Sequence, residues 1–523
     1  MAKFFNTAGP CREGRHYMLP PEERFPDGLL SLIHRSEYFA VHAPRQVGKT
    51  TCFIHLTRSL NEGGRCIALL TSLEACVTAT LNDERVVPAI LGGIRESANF
   101  KLPESVQPPE PDPTVEPQLR LLDFLQRWSH EVPLPLVLFF DEIDSLAGVG
   151  LETFLRQLGL AHDHGPEGSP ASIGLIGLRH VRSYRPPEDQ GRHIGDGSSP
   201  FDIELHDLTV RYFTPEEVGK LYDQHEADTG RPFTPGAKCL AFDLTAGQPW
   251  LVNELARVAV DELVPDPIKP IEASHVDQAK EILIQRRDTH IDSLIARLRE
   301  PRVRRVIEPI LAGEQLPDDI PDDDVLFVRD LGLIDPAEGS LRISNPIYAE
   351  AIPRGLTSTM ELSLVLRRPS YVDASGRLQF EQLLQDFRAF WVEQAESFLT
   401  KAPYSEAAAQ LVFMAFLHKV VNGGGYVDRE YAIGSGRVDL CLRWPREDGP
   451  PDRWALELKV WRDGRPDPLE QGLEQLGGYL ERLGLEQGTL MIFDSRSGAA
   501  PLPERVAEER RERGGRRIDV LRL

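Results

Sequence analysis

Long apolar runs are missing from this sequence, and their absence excludes two classes of protein. Among its 523 residues, no apolar run approaches the roughly 20 residues that a membrane-spanning helix needs. The candidate at Leu134–Phe140 has only the length of a strand and is followed by acids. No apolar segment followed by a small-residue cleavage site stands near the N-terminus, so the pattern of a secretion signal is missing too. We therefore expect a cytoplasmic protein with no membrane partner.

Cysteine and positive charge are also scarce. The six cysteines are scattered without a C-x-x-C pair, which argues against a zinc site or a disulfide framework and fits a reducing compartment. Lysine and arginine number 59 against 81 aspartates and glutamates, giving a formal net charge of -22. A protein that coats nucleic acid over a wide surface would be basic, so passive binding of that kind is disfavoured. An enzyme that gathers arginines locally and bridges its acids to phosphate with metal ions is not excluded.

Two arginine-rich stretches, Arg297–Arg305 and Arg505–Arg517, stand out against this acidic background. Both are interrupted by glutamate. Mixed charge of this kind is typical of a solvated helix, so we expect helices here rather than nucleic-acid surfaces.

The length of the chain exceeds what one hydrophobic core supports, and several domains are expected. In the first part, strands that are apolar throughout alternate with helices, which indicates an α/β fold with a parallel sheet covered on both faces. A mainly helical stretch follows, and then a helix, an acidic loop, a helix and a short hairpin, an order compatible with a winged helix. The expected domains are an α/β core at 1–210, a helical lid at 211–290, a winged helix at 291–360 and a second α/β unit at 375–523.

A phosphate-binding loop is indicated where APRQVGKTT follows a strand and opens a helix. Gly48 lets the backbone bend so that N–H groups converge on phosphate, Lys49 supplies a charge to the β/γ-phosphates, and Thr50 offers its hydroxyl to Mg²⁺. Ala43 stands where the G-x-x-x-x-G-K-[ST] pattern has its first glycine. The predicted ATP-binding residues of the loop are Ala43, Pro44, Arg45, Gln46, Val47, Gly48, Lys49, Thr50 and Thr51.

A second element supports the loop. The apolar run LPLVLFF ends in Asp141 and Glu142, at the carboxyl end of a buried strand, where open α/β sheets hold their ligands. Asp141 is expected to bind Mg²⁺ and Glu142 to orient the attacking water. A bare glycine turn and an acid pair at a helix start are the alternatives, but both elements together, in this order, favour a site for ATP and Mg²⁺.

The stretches HAPRQVGKTT, FFDEID, GLRHVRSY, SSPFDI and GQPWLVNELA resemble a family of bacterial AAA-like ATPases of the archaeal-ATPase and STAND kind, over most of residues 1–260. The resemblance implies a P-loop ATPase core with a helical lid. It also implies a sensor residue after the strand Ser172–Leu178, with Arg179 and Arg182 as candidates for reading the γ-phosphate. The family often has an acid where this chain has His180.

The C-terminal unit carries carboxylates in a pattern that a metal site needs. Asp439 lies in the strand GRVDLCLRW, and Glu457 and Lys459 are separated by one residue in ALELKVW, so these two face the same way. A hairpin through PREDGPPD would bring Asp439 beside Glu457. Close carboxylates are unfavourable without a cation, which suggests Mg²⁺ or Mn²⁺. Lys459 could stabilise developing charge or position a water.

Asp439 and the Glu457-x-Lys459 pair resemble the core of the PD-(D/E)XK nuclease superfamily, over roughly residues 380–500. The resemblance implies metal-dependent cleavage of phosphodiesters at this site. The usual Pro-Asp dipeptide is replaced here by Val438-Asp439, and an inactive relic of the fold is the alternative.

Three further residues match this superfamily. Glu406 corresponds to its first-helix acid and is a predicted metal ligand, although the helix dipole alone explains an acid there. Gln475 and Tyr479, four residues apart on one helix face, match a Q-x-x-x-Y signature and are predicted to support the nuclease site. A half-buried helix face is the alternative for this pair.

Together these features predict an ATP-regulated nuclease that acts on DNA, as a homo-oligomer or with a partner protein. This interpretation rests on analogy at the level of fold. The alternative is a nucleotide-switched signalling or scaffold ATPase whose terminal domain binds DNA or a partner without cutting.

Overall fold

The structure is a computed structural model. It describes residues 3–523 apart from 80–82, 147, 180–204, 287–288, 312–315, 318, 338–339, 364–370, 400–406, 422–424, 434–435 and 447–448. The chain forms two compact units, residues 1–283 with 326–333, and residues 284–325 with 334–523. In the described part of the chain, no helix is both long enough and apolar enough to cross a membrane.

A five-stranded parallel sheet forms the centre of the first unit. Its strands are β1 (Phe39–His42), β2 (Ile67–Ser72), β3 (Leu136–Asp141), β4 (Ser172–Gly177) and β5 (His206–Thr209). They lie in the order β2-β3-β4-β1-β5, and each neighbouring pair is parallel. Every residue of β3 and β4 is buried, because both faces of the sheet are covered. The predicted α/β class with a parallel sheet is confirmed.

Helices cover this sheet and form a hydrophobic core on each of its faces. Neighbouring side chains of a strand point to opposite faces, so Phe140 packs in the core with Trp128 and Phe154, whereas Phe139 packs in the core with Phe53. The sequence interpretation left the third helix unassigned. The helices are α1 (Leu29–His34), α2 (Lys49–Glu62), α3 (Asp83–Lys101), α4 (Pro117–Glu131) and α5 (Gly148–Asp163).

The segment after the sheet is helical, as predicted. Its helices begin at strong start signals: α6 opens with a capping box between Thr214 and Glu217, and each of the first three has proline in its first turn. A π-helical turn, Ala259–Leu263, extends the third. The helices are α6 (Pro215–Thr229), α7 (Pro235–Thr245), α8 (Pro249–Val258) and α9 (Ala273–Arg286).

The region from residue 289 to 363 runs helix, helix, helix, hairpin and helix. The order of helix, loop, helix and hairpin expected from the sequence is present. The two hairpin strands pair antiparallel, Ile334 opposite Ile343. The elements are α10 (Thr289–Arg297), α11 (Pro301–Leu311), α12 (Asp322–Asp330), β6 (Ile334–Ala337), β7 (Ser340–Ile343) and α13 (Pro346–Ser363).

The second unit ends in a six-stranded mixed sheet. The elements are α14 (Phe380–Leu399), α15 (Ala408–Val421), β8 (Tyr426–Ile433), β9 (Gly436–Arg446), β10 (Gly449–Trp461), α16 (Leu469–Leu483), β11 (Gln487–Asp494), α17 (Leu502–Arg505), β12 (Ala507–Arg513) and β13 (Arg516–Arg522). The strand order is β12-β13-β11-β10-β9-β8. Strands β8, β9 and β10 pair antiparallel, and β10, β11 and β13 pair parallel.

The prediction of a helix at Arg505–Arg517 is wrong, because most of this stretch lies in the hairpin of β12 and β13. Charges of opposite sign face each other across the hairpin. The Arg510 Nε is 3.0 Å from Asp519 Oδ1, and the Arg522 Nε is 3.3 Å from Glu509 Oε1. Such cross-strand pairs support a hairpin as well as i,i+4 pairs support a helix, so mixed charge alone does not distinguish the two.

Candidate functional site

The loop Ala43–Thr51 joins β1 to α2, as the sequence predicted. Gly48 caps α2 with φ of +99°, and a Cβ there would meet no atom of the described residues within 4 Å, so the backbone conformation alone requires glycine. Gln46 also has a positive φ, of 62°. Ala43 does not, and its amide donates to the Gly177 carbonyl at 3.3 Å. Alanine in place of the first glycine is therefore compatible with this loop.

Lys49 lies at the centre of the loop. Its Nζ donates to the carbonyl oxygens of Ala43 at 2.6 Å and Pro44 at 2.9 Å. Burial lowers the pKa of Lys49 to about 8, although the nearby carboxylates of Asp141 and Asp144 oppose this shift. A partly desolvated ammonium of this kind gains much from a negatively charged ligand.

Thr50 and Asp141 meet although they come from different elements. The Thr50 hydroxyl donates to Asp141 Oδ2 at 2.7 Å, and Asp141 Oδ1 accepts from the Glu142 amide at 2.9 Å. Burial raises the pKa of Asp141, while the Thr50 hydrogen bond and the Lys49 charge lower it. A hydroxyl and a carboxylate side by side are oxygen donors that fit Mg²⁺.

Glu142, the predicted water-orienting residue, is exposed and has a positive φ of 60°. Its Oε2 accepts a 2.6 Å hydrogen bond from the Ser72 hydroxyl, which itself accepts from the Glu74 amide at 3.1 Å. The sequence interpretation missed Ser72. The signal was a hydroxyl at the carboxyl end of β2, the strand next to β3 in the sheet.

For the ATP hydrolysis predicted from the sequence, replacing Ser72 by alanine is expected to lower the turnover number about tenfold, with KM changed by less than about twofold, because one hydrogen bond to a charged carboxylate is lost. Steady-state ATP hydrolysis measures both constants. Ser72→Thr keeps the hydroxyl and is the matched control. A normal turnover number in Ser72→Ala would show that Glu142 needs no such partner.

The other predicted loop residues differ in exposure. Val47 is buried in the core, whereas Arg45 and Gln46 are exposed. Thr51 Oγ1 accepts a hydrogen bond from the Cys11 amide at 3.1 Å, so the N-terminal segment is joined to the start of α2. This contact was not predicted from the sequence.

Arg179 follows β4 closely. Its Nε lies 3.7 Å from Asp144 Oδ1, in the turn that follows Asp141. Arg179 therefore lies beside the turn after β3. The resemblance to AAA-like ATPases implies a sensor residue after β4, and that role for Arg179 stays a prediction. Arg182, the other candidate, lies outside the described residues, as does His180.

In the second unit, the hairpin predicted from the sequence brings three of the candidate residues together. Leu456 pairs with Leu440 across β9 and β10, so Asp439 and Glu457 occupy the next positions of that register. Asp439 Oδ2 accepts from the Leu458 amide at 2.8 Å. Lys459 Nζ lies 2.8 Å from Glu457 Oε1.

The charges of this cluster influence one another strongly. Burial and then the Asp439 carboxylate raise the pKa of Glu457 to about 8, although Lys459 opposes the shift. Burial alone would lower the pKa of Lys459, but Glu457 and Asp439 together raise it. When both carboxylates are ionised, two carboxylates and one ammonium leave the cluster with excess negative charge, which a divalent cation would neutralise.

Among the described residues, two buried oxygens have no hydrogen-bond partner: Glu457 Oε2 in this cluster and Gln475 Oε1 on α16. Tyr479, also on α16, is close enough to contribute to the raised pKa of Lys459. Unpartnered oxygen donors at a carboxylate pair fit a hard cation such as Mg²⁺ or Mn²⁺.

The metal set is incomplete within the described residues. These residues contain no group of three or more histidine, cysteine, aspartate or glutamate side chains that could hold a metal ion. Glu406, the predicted third carboxylate, lies outside them. The described chain therefore offers two carboxylates, Asp439 and Glu457.

No protein-family model and no curated protein sequence matches the chain. Among solved structures, it is similar to a Walker-type ATPase of Pyrococcus abyssi, with 16% identity and a TM-score of 0.48 over 66% of this chain and 99% of the other. It is also similar to the ORC1 protein of Aeropyrum pernix, solved with DNA, with 12% identity and a TM-score of 0.34 over 65% of this chain and 94% of the other. A third similar structure is the RuvB Holliday junction branch migration motor of Thermotoga maritima, with 15% identity and a TM-score of 0.33 over 62% of this chain and 90% of the other. At these identities and TM-scores the similarities assign no activity.

Proposed function

We propose that this chain is a P-loop ATPase that binds ATP with Mg²⁺ through its first unit. The observation that carries the proposal is the 2.7 Å hydrogen bond between Thr50 and Asp141, which joins the phosphate-binding loop to the acidic strand end. Lys49 would contact the β/γ-phosphates, Thr50 and Asp141 would hold Mg²⁺, and Glu142 would orient the attacking water. Mg²⁺ would neutralise charge on the transferred phosphoryl group.

The direct test is phosphate release from ATP by the full chain, with Mg²⁺ and with the metal chelated. Hydrolysis that requires the metal is expected. A chain that fails to bind a fluorescent ATP analogue with Mg²⁺ present would refute the proposal.

We further propose that the second unit is a PD-(D/E)XK-like domain that cleaves nucleic acid with Mg²⁺ or Mn²⁺. The proposal is supported by Glu457, whose buried carboxylate beside Asp439 and Lys459 has one oxygen without a partner in the part of the chain that the structure describes. Asp439 and Glu457 would hold the cation, with Glu406 as a third ligand. Lys459 would stabilise the charge that develops on the phosphate.

More specifically, we propose an ATP-regulated nuclease of the cytoplasm that acts on DNA. It would work either as a homo-oligomer or together with a partner protein. In this proposal, ATP turnover at the first unit would permit cleavage at the second. A winged helix, which lies between the two sites in sequence, would be formed by α11, α12, β6 and β7. The rival is a signalling or scaffold ATPase whose terminal domain binds without cutting. A nuclease assay on single-stranded, double-stranded and branched substrates, with and without ATP, distinguishes them.

The raised pKa of Glu457 predicts how metal binding depends on pH. A protonated carboxyl is a poor ligand, and the Glu457 pKa is about 8, so protons compete with the cation below that pH. The increase in melting temperature caused by Mn²⁺ is therefore expected to grow as pH rises through about 8.

The matched control for this titration is Glu457→Gln, which cannot titrate. It should lose most of the metal-induced increase and all of its pH dependence at this site. An equal increase at low and high pH in the wild-type chain would contradict the assignment of Glu457 as a ligand.

A further inference from the structure

One segment of the first unit, Leu326–Leu333, comes from a part of the chain far from the nucleotide loops in sequence. It forms the later part of α12 and the turn that follows. The amides of Gly332 and Leu333 close the helix end by donating to the carbonyls of Arg329 at 2.8 Å and Val328 at 3.3 Å. Such closure, with a left-handed glycine, fixes the direction in which the chain leaves the helix.

Two contacts join this segment to the candidate nucleotide site. The Phe327 ring lies against the guanidinium of Arg179, with the Arg179 Cζ 5.1 Å from the ring centroid. At the other end, Gly332 approaches the P-loop so closely that a Cβ on it would lie 2.8 Å from the Cγ of Pro44 and 2.8 Å from the hydroxyl oxygen of Tyr212. A single short segment therefore contacts both the loop after β1 and the loop after β4.

Arg179 is held from two sides. The Asp144 carboxylate lies 3.7 Å from its Nε and also accepts a hydrogen bond from the Leu178 amide at 2.5 Å. The Phe327 ring, which is 4% exposed, provides the other side. A guanidinium between a carboxylate and an aromatic face is held in one position, which suits a residue that binds phosphate.

We propose that Phe327 is a positioning residue for ATP hydrolysis, which acts by holding Arg179 in place. Gly332, which has no side chain, lets the same segment pack against Pro44. This inference rests on the proposed ATPase function. The chain continues from Leu333 directly into β6 at Ile334. The nucleotide site is thus completed by a segment that leads into the β6–β7 hairpin. Hydrolysis then depends on how that segment packs against Arg179 and Pro44.

A double-mutant cycle tests the action through Arg179. Phe327→Leu is expected to lower the turnover number for ATP about fivefold to tenfold, as expected for loss of a cation–π contact in a partly buried place. In the Arg179→Ala background the same change should have less than about a twofold effect, because the residue it positions is gone. Phe100→Leu, at a ring that is 84% exposed, is the matched control and should leave turnover unchanged.

The outcomes separate the inference from the function on which it rests. Equal losses from Phe327→Leu in both backgrounds would show a merely structural role and overturn the inference while leaving the ATPase intact. A normal turnover number in Phe327→Leu overturns it as well. A wild-type chain that neither binds nor hydrolyses ATP refutes the proposed function, and the inference with it.

A second pair of variants tests the seating of the segment. Gly332→Ala is expected to raise KM for ATP at least about fivefold, since its Cβ must displace Pro44 of the P-loop. Gly230→Ala is the matched control, because Gly230 also ends a helix with a similar φ, +74° against +75°, but a Cβ on it would have no neighbour within 4 Å in the described chain. The two variants share the backbone strain, so an equal change in KM would overturn the contact with Pro44 as the cause.

Discussion

Replacing Lys49 by alanine is expected to reduce ATP hydrolysis by at least about 100-fold, because removing one preorganised cation or donor at a reacting phosphate costs roughly 3 kcal/mol or more. Its Nζ is fixed by the carbonyls of Ala43 and Pro44, 2.6 and 2.9 Å away. The ammonium is therefore in place before ATP arrives. The measurement is the initial rate of phosphate release at saturating ATP and Mg²⁺.

The same substitution should not unfold the chain. Burial lowers the pKa of Lys49 to about 8 from its ordinary value of 10.5, so the protonated lysine opposes folding near neutral pH, and that cost disappears with the side chain. Lys49→Ala should therefore melt no lower than the wild-type chain. Lys220→Ala removes an exposed lysine paired with Glu23 on the same unit and should keep full activity. Hydrolysis that survives in Lys49→Ala would place the ATPase site elsewhere.

Much of the first site could be predicted from the sequence because its signals are local. The loop is specified by contiguous residues between a strand and a helix, and its demanding position, Gly48, is a glycine whose φ of +99° the motif anticipates. Asp141 is equally local, since an apolar run that ends in acids predicts a buried strand with a polar carboxyl end. These patterns are sufficient to locate the residues that we propose to contact phosphate and metal.

The residues that orient this machinery were not predictable in the same way. Ser72 reaches Glu142 only because β2 lies next to β3 in the sheet, and strand order is a tertiary property. Phe327 and Gly332 reach the nucleotide loops from a distant part of the chain. In sequence, each of them reads as an ordinary core residue or helix end.

The second unit shows the same division. Period-two alternation placed Glu457 and Lys459 on one face, and the 2.8 Å ion pair between their side chains follows from it. The hairpin at Arg510 was not recognised, because its stabilising charges come from β13 rather than from its own strand. Local periodicity thus predicts which side chains share a face, whereas pairing between strands decides what they meet.

Replacing Lys459 by alanine is expected to abolish Mg²⁺-dependent cleavage of nucleic acid, a loss of at least about 100-fold, and to leave ATP hydrolysis unchanged. Lys459 lies 2.8 Å from Glu457 of the carboxylate pair, and it would meet the negative charge that develops on the phosphate. The chain should still fold, because Glu457, whose pKa is already about 8, can take up a proton when its partner is removed. Cleavage and ATP hydrolysis by the same preparation are the two measurements.

Arg453→Ala is the matched control for Lys459→Ala, since Arg453 is an exposed cation on the same strand, β10, and should retain cleavage. Asp439→Ala should be as inactive as Lys459→Ala, because either change dismantles the same cluster. If Lys459→Ala cuts as fast as the wild-type chain, the nuclease site lies elsewhere. If the wild-type chain itself cuts no DNA or RNA with Mg²⁺ or Mn²⁺, with or without ATP, while Lys49-dependent hydrolysis persists, the chain is the scaffold or signalling ATPase instead.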